Sequence, residues 1–251
     1  MTGFNLKEDD QYQKLLAEAR KCFDRQDREK ACYYYAQTRL QERPDADLQD
    51  LGDFLVVATE YRPEIAVDIA QAIIAKDGPL PPIFIQDIFC CALCLTDPEL
   101  ERKIIKRVLA GGLNPNLCVR IADMYFEYAN SRRDQMKAAL WISRAAAAEA
   151  VTFSDWAAKA YALHLIVDDE QKAQLAVLGC TKRAVELAGT DTDIEVEALE
   201  DLVEALGFLE YDGSLIAKYL YEQLLSNDHI ALPEKHRIWQ DLKELQNYLN
   251  S

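Results

Sequence analysis

Nine glycines and eight prolines are few for 251 residues. They exclude an all-β fold, which needs turn residues about every 8–12 positions. Basic residues are also scarce. Lysine and arginine together number 28 against 43 acids, giving a formal charge of −15. Nonspecific nucleic-acid binding requires basic side chains to neutralise phosphates, so this balance argues against it. An anionic membrane surface would repel the chain for the same reason. No uninterrupted apolar run approaches the roughly 18 residues of a membrane span. The N-terminus, MTGFNLKEDDQYQK, lacks the apolar segment of a signal peptide. Seven cysteines, an odd number unevenly spread, do not form a disulfide framework. Reduced thiols and a cytoplasmic location are expected, with secretion lacking a cleaved signal left open.

Catalytic and metal-binding motifs are missing as well. There is no GxSxG elbow, phosphate-binding Gly–Lys loop or HExxH pair. Cys90, Cys91 and Cys94 include a CxxC, but they follow Ile88 and Phe89 in an apolar helical run. A redox pair needs an exposed thiolate at a strand-to-helix turn. A zinc site needs about four ligands, and no second pair follows. Burial in the core is therefore the expected role of these cysteines. The three histidines, His164, His229 and His236, have no triad-like neighbours in sequence. Asp191, Asp193 and Glu195 imitate the start of a calcium loop. Val196 stands where that loop needs glycine, and Leu202 where it needs a bidentate glutamate. A helix capped by Thr190 or Thr192, with acids in its first turn, fits these residues better.

What is abundant is helix-forming. Half the residues are apolar, and alanine and leucine, both good helix formers, are the commonest. Breaks in the hydrophobic pattern fall near Pro44, Gly78, Gly111, Ala150, Gly189 and Asp228, at intervals of 34, 33, 39, 39 and 39 residues. Two-helix repeats use units of about 34 to 47 residues. Turns inside the units are expected at Tyr61-Arg62-Pro63, Asp97-Pro98, Asn130-Ser131, Asp168-Asp169 and Tyr211-Asp212-Gly213. Pro233 opens a last helix with Ile238, Trp239, Leu242, Leu245 and Leu249 on one side.

The stretch Val119–Ala150 illustrates one unit. Ala122, Tyr125, Phe126 and Ala129 make one helical stripe. Ala138, Leu140, Trp141, Ala145 and Ala148 make the next, with Asp134 as a capping residue. Ala122, Tyr125, Asp134, Lys137-Ala138, Trp141 and Ala145-Ala146 resemble the small, aromatic and lysine–alanine positions of a Sel1-like repeat. The glycines of that pattern are absent near Ala129, Ser131 and Arg132. The run from Ala19 to Asp45, with Ala19, Ala31, Tyr35 and Pro44, is similar to a tetratricopeptide repeat. Glu18 and Cys22 depart from it. The resemblance implies a degenerate member of the tetratricopeptide/Sel1-like superfamily, whose members act mostly as adaptors, chaperones, assembly platforms and bacterial effectors.

The expected fold is all-α. It is an α-solenoid of about six antiparallel helix pairs with a C-terminal capping helix, and a compact helical bundle is the alternative. Residues 1–10 form a flexible lead-in, 11–228 the repeat array and 229–251 the cap. The expected function is noncatalytic binding of a protein or peptide, with an acidic inhibitor or immunity protein as the alternative. No catalytic, cofactor or metal residue is expected. From Ala184 to Ala217 there are ten acids and no lysine or arginine. Charge runs are most often solvated helix faces. As a docking surface, the window would suit a basic partner, through Glu195, Glu200, Asp201 and Glu204. The opposite patch, Arg102, Lys103, Lys106 and Arg107, is expected to be a solvent face balanced by Glu99 and Glu101. Oligomeric state is not legible.

Overall fold

The computed structural model describes residues 6–128, 131–192, 194–207 and 209–250. Among these residues there are thirteen α-helices and no strand. They fall into two compact units, Met1–Gly112 and Leu113–Ser251.

The first unit contains α1 (Leu6–Asp24), α2 (Arg28–Thr38), α3 (Leu48–Tyr61), α4 (Pro63–Ile74), α5 (Pro82–Cys94) and α6 (Pro98–Gly111). Each pair folds back at a sequence-encoded stop. Pro63 and Pro98 occupy the first helical position, where a missing N–H costs nothing. The Asp97 carboxylate accepts from the amides of Glu99 and Leu100, and Asp47 does the same for α3. The pairs join through their first helices as well. Gly52 lets α3 and α5 meet closely, since a β-carbon there would run into the Phe84 ring. Tyr35, fully buried, stacks on Phe54 with ring centroids 5.4 Å apart.

The second unit contains α7 (Pro115–Glu127), α8 (Arg132–Ala147), α9 (Phe153–Ile166), α10 (Glu170–Ala188), α11 (Val196–Gly207), α12 (Glu210–Ser226) and α13 (Leu232–Leu249). The first helices α7, α9 and α11 pack in succession, each with its second helix behind it, and α13 closes against α12. Both units thus use the construction of an α-solenoid: stacked antiparallel pairs whose apolar stripes are buried only by neighbours. Of the breaks expected from sequence, Pro44, Gly78, Ala150 and Gly189 lie between pairs, Gly111 ends α6, and Asp228 precedes the lone α13. The core of the α7–α8 pair, between the third and fourth breaks, is small-against-large. Ala122, Ala138 and Ala145 are fully buried around Tyr125 and Trp141.

Several local expectations shift. Helix α1 begins at Leu6, inside the stretch read as lead-in. Phe126 and Leu140 face outward, because α7 buries Ile121, Ala122 and Tyr125 and the buried arc of α8 centres on Ala138, Trp141, Ile142 and Ala145. Ala129, Asn130 and Asp193 lie outside the described residues. Ser131, not Asp134, caps α8, and Asp134 supports it from the third position. Thr190 caps no helix; its hydroxyl donates to the Leu187 carbonyl. Tyr211-Asp212-Gly213 belongs to the start of α12 rather than to a turn. Gly213 is needed for contact instead, since a β-carbon there would strike the Leu206 carbonyl oxygen.

Asn227 ties the second unit together. It is fully buried, and its amide donates to the carbonyls of Ala188 and Asp191 at 2.9 and 3.0 Å, while its oxygen accepts from the His229 amide. Replacing it with alanine strands buried polar groups, at a cost of about 1–3 kcal/mol. The urea midpoint of Asn227→Ala should fall with an unchanged m-value; an unmoved midpoint would show that the staple carries no net stability.

Candidate functional site

The layer of first helices carries the unusual electrostatics of both units. In the first unit, Arg20 of α1 grips Asp50 of α3 with two hydrogen bonds of 2.6 and 2.7 Å. One helical turn on, Asp53 accepts from Gln49 at 2.8 Å and from the Tyr35 hydroxyl at 3.5 Å. Burial pushes the Asp53 carboxyl above its ordinary value. Asp87 of α5 is pushed up to about 6, first by burial and then by the charge of Asp53.

In the second unit, Arg120 of α7 reaches both Asp123 of its own helix, at 3.0 Å, and Asp201 of α11. The Arg120 and Asp201 side chains are only 12% and 13% exposed. Arg120 Nε is buried without an acceptor among the described residues. Asp123 is held above its ordinary value by burial, with Arg120 opposing the shift and Glu204 adding to it. Tyr161 of α9 is raised by burial and by the charges of Glu204 and Asp123.

Beside this seam runs an open groove of about 390 Å³ between α11 and α13, lined by Glu200, Val203, Glu204, Tyr221, Asp241 and Glu244. Helical spacing puts Glu200 and Glu204 on one face of α11, and the α13 pair lies opposite. Tyr221 of α12 is nearly buried at its side. Burial and the charges of Asp241 and Glu200 push its phenol up to about 12. One cation enters: Arg237 of α13 pairs with Glu200.

The structure therefore separates the four acids expected to act together. Glu200 and Glu204 share the groove. Asp201 turns inward to Arg120. Glu195 stands at the entry to α11, where its amide donates to Ser154 Oγ at 2.9 Å and its carbonyl receives the Ala198 amide. Asp241 and Glu244 were not singled out from sequence, because they lie on the apolar-patterned C-terminal helix some forty residues away. Asp53, Asp87, Arg120 and Asp123 were also missed. For Asp53, Asp87 and Asp123 the available signal was an acid on the buried side of an amphipathic helix, and Arg120 is its basic counterpart.

Other motifs find structural roles. Cys91 and Cys118 are buried, and burial pushes their thiols up to about 11 and 12, which leaves little thiolate for chemistry. Cys90 and Cys94 stay on the outer side of α5, with sulfurs 3.9 Å apart. The Asp191 carboxylate accepts the Phe153 amide at 2.5 Å, so it secures the start of α9. On α6, Lys103 pairs with Glu99 at 3.3 Å, and Arg107 donates to the carbonyls of Lys76 and Gly78. No described helix is long and apolar enough to cross a membrane. Comparison with family models, curated proteins and solved structures returned no match.

Proposed function

We propose that the chain is a noncatalytic helical-repeat scaffold of the tetratricopeptide/Sel1-like kind that binds another protein. A basic segment of that partner would seat in the groove between α11 and α13. The observation that carries this reading is the groove itself, where four carboxylates surround Val203 and Tyr221 and, among the described residues, Arg237 opposes them at Glu200. An apolar floor with an anionic rim suits a lysine or arginine side chain, whose stem is apolar and whose head is charged. Complementary charge would steer the encounter and select the partner. The buried, raised thiols of Cys91 and Cys118 support a structural role for those two residues, and cysteines not joined in disulfides among the described residues are in keeping with a cytoplasmic location.

The acidic-inhibitor reading has less behind it. A protein that mimics a phosphate array displays free carboxylates, whereas here Asp201 and Glu200 are engaged by Arg120 and Arg237.

The test begins with a partner copurified from the native cell. Its affinity is measured for the wild-type chain and for the quadruple variant Glu200→Gln, Glu204→Gln, Asp241→Asn, Glu244→Gln, each across a salt series. Affinity for the variant should fall by about tenfold or more at low salt, and the wild-type salt dependence should flatten. Equal affinity for the two chains would remove the groove from the reading.

A further inference from the structure

Helix α10 presents a second surface with a different chemistry. Leu175 is 72% exposed, and Leu178, Leu215 and Tyr219 are each more than a third exposed. The last three, with Val185 and Ile216, line an apolar groove of about 400 Å³ between α10 and α12. Lys182 is the one charged residue on its wall.

Gly179 lies on the same face as Leu175 and Lys182 and has no packing reason among the described residues. A β-carbon there would meet nothing within 4 Å. A glycine inside a helix weakens it, and it is not at a helix end or in a left-handed conformation. What such a glycine permits is close approach of another backbone.

The exposed face of α10 has a seven-residue repeat. Lys172, Gly179 and Glu186 form one row, and Leu175 and Lys182 the next. The first row is centred on Gly179, and its two ends carry opposite charges. Lys172 lies seven residues before it and Glu186 seven after. An antiparallel copy of α10 crossing at Gly179 therefore sets each Lys172 against the other copy's Glu186. Each Leu175 then lies beneath the aliphatic stem of the opposing Lys182. The intrachain pairs that these ends now make, Lys172 with Asp169 and Glu186 with Arg183, are exposed and readily exchanged. In a chain of charge −15, α10 carries three bases and two acids, so two copies meet here without local repulsion.

We infer that the chain forms a two-fold symmetric homodimer through α10, with the helices antiparallel, crossing at Gly179, and flanked by Leu215 and Tyr219 of α12. The interface is isologous, so one surface serves both partners and the assembly closes at two.

Sedimentation velocity of the full chain from low to high micromolar concentration tests this. The wild type should pass from one to two chain masses. Lys172→Glu alone, or Glu186→Lys alone, should weaken association by about tenfold or more, since each places like charges opposite one another twice. The double variant carrying both changes should restore it, because the swapped pairs match again. Gly179→Leu should remain monomeric. Gly179→Ala should raise the Tm of the monomer by about 2–4 °C while weakening the dimer. All these positions are exposed, so unchanged thermal unfolding of the charge variants verifies their fold. A wild type that stays monomeric throughout overturns the inference. So does a dimer indifferent to Lys172→Glu, or a charge swap that fails to restore association.

Discussion

Arg120→Met should lower the Tm by about 10 °C at pH 7, the largest loss expected from any single charged residue in the second unit. Breaking a buried ion pair by removing one partner costs about 3–5 kcal/mol. For a chain of this size each kcal/mol moves the Tm by about 2–4 °C. The cause is what the missing guanidinium leaves behind. Asp201 would be nearly inaccessible with no cation against it, and Asp123 would lose the one nearby charge that now opposes its upward shift. The sign of the pH dependence follows. A carboxyl whose folded pKa rises above its unfolded value destabilises the fold wherever it is ionised. Protonation of the folded state relieves the loss as pH falls through the raised value. The deficit of Arg120→Met relative to wild type should therefore shrink between pH 7 and pH 5. Thermal unfolding at both pH values measures it. An equal deficit at the two would mean that lost packing, not stranded charge, explains the variant.

Trp141→Ala should cost about 3–5 kcal/mol, independent of pH. The indole is 2% exposed and sits among alanines that cannot move in to fill its volume. The Arg144 guanidinium, 4.4 Å from the ring centroid, adds a cation–π contact that alanine also forfeits. Trp141→Phe keeps most of the apolar volume and should lose distinctly less. Urea unfolding of the two variants orders them. If alanine and phenylalanine prove equally mild, the α7–α8 pair does not depend on the large side chain at its crossing.

The helix pairs were legible because their boundaries are written in local chemistry. Pro63, Pro98 and Asp97 act within two or three residues of where they stand, so reading the chain in order finds them. Gly213 misled for the complementary reason. A glycine that opens a turn and a glycine that admits a carbonyl from the preceding helix look alike in sequence, and only the approach of Leu206 distinguishes them. The acidic window was visible as composition, but its division was not. Asp201 and Glu200 are adjacent in the chain. The helix turns one toward Arg120, eighty-one residues earlier, and leaves the other beside Arg237. Asp241 and Glu244 complete the groove from a helix whose sequence advertises only its apolar side.

The raised carboxyls of the first unit bear on what the formal charge means. The value of −15 counts every acid as ionised. Asp87, at about 6, is substantially protonated in mildly acidic surroundings, and Asp53 is shifted in the same direction. As the pH falls, these carboxyls therefore lose charge before carboxyls of ordinary pKa. A cation that comes to rest beside Asp87 displaces a proton, while an anion that approaches draws one in. The local charge of that helix face is thus set partly by the visitor, and the field it presents at a distance is weaker than the one it offers on contact.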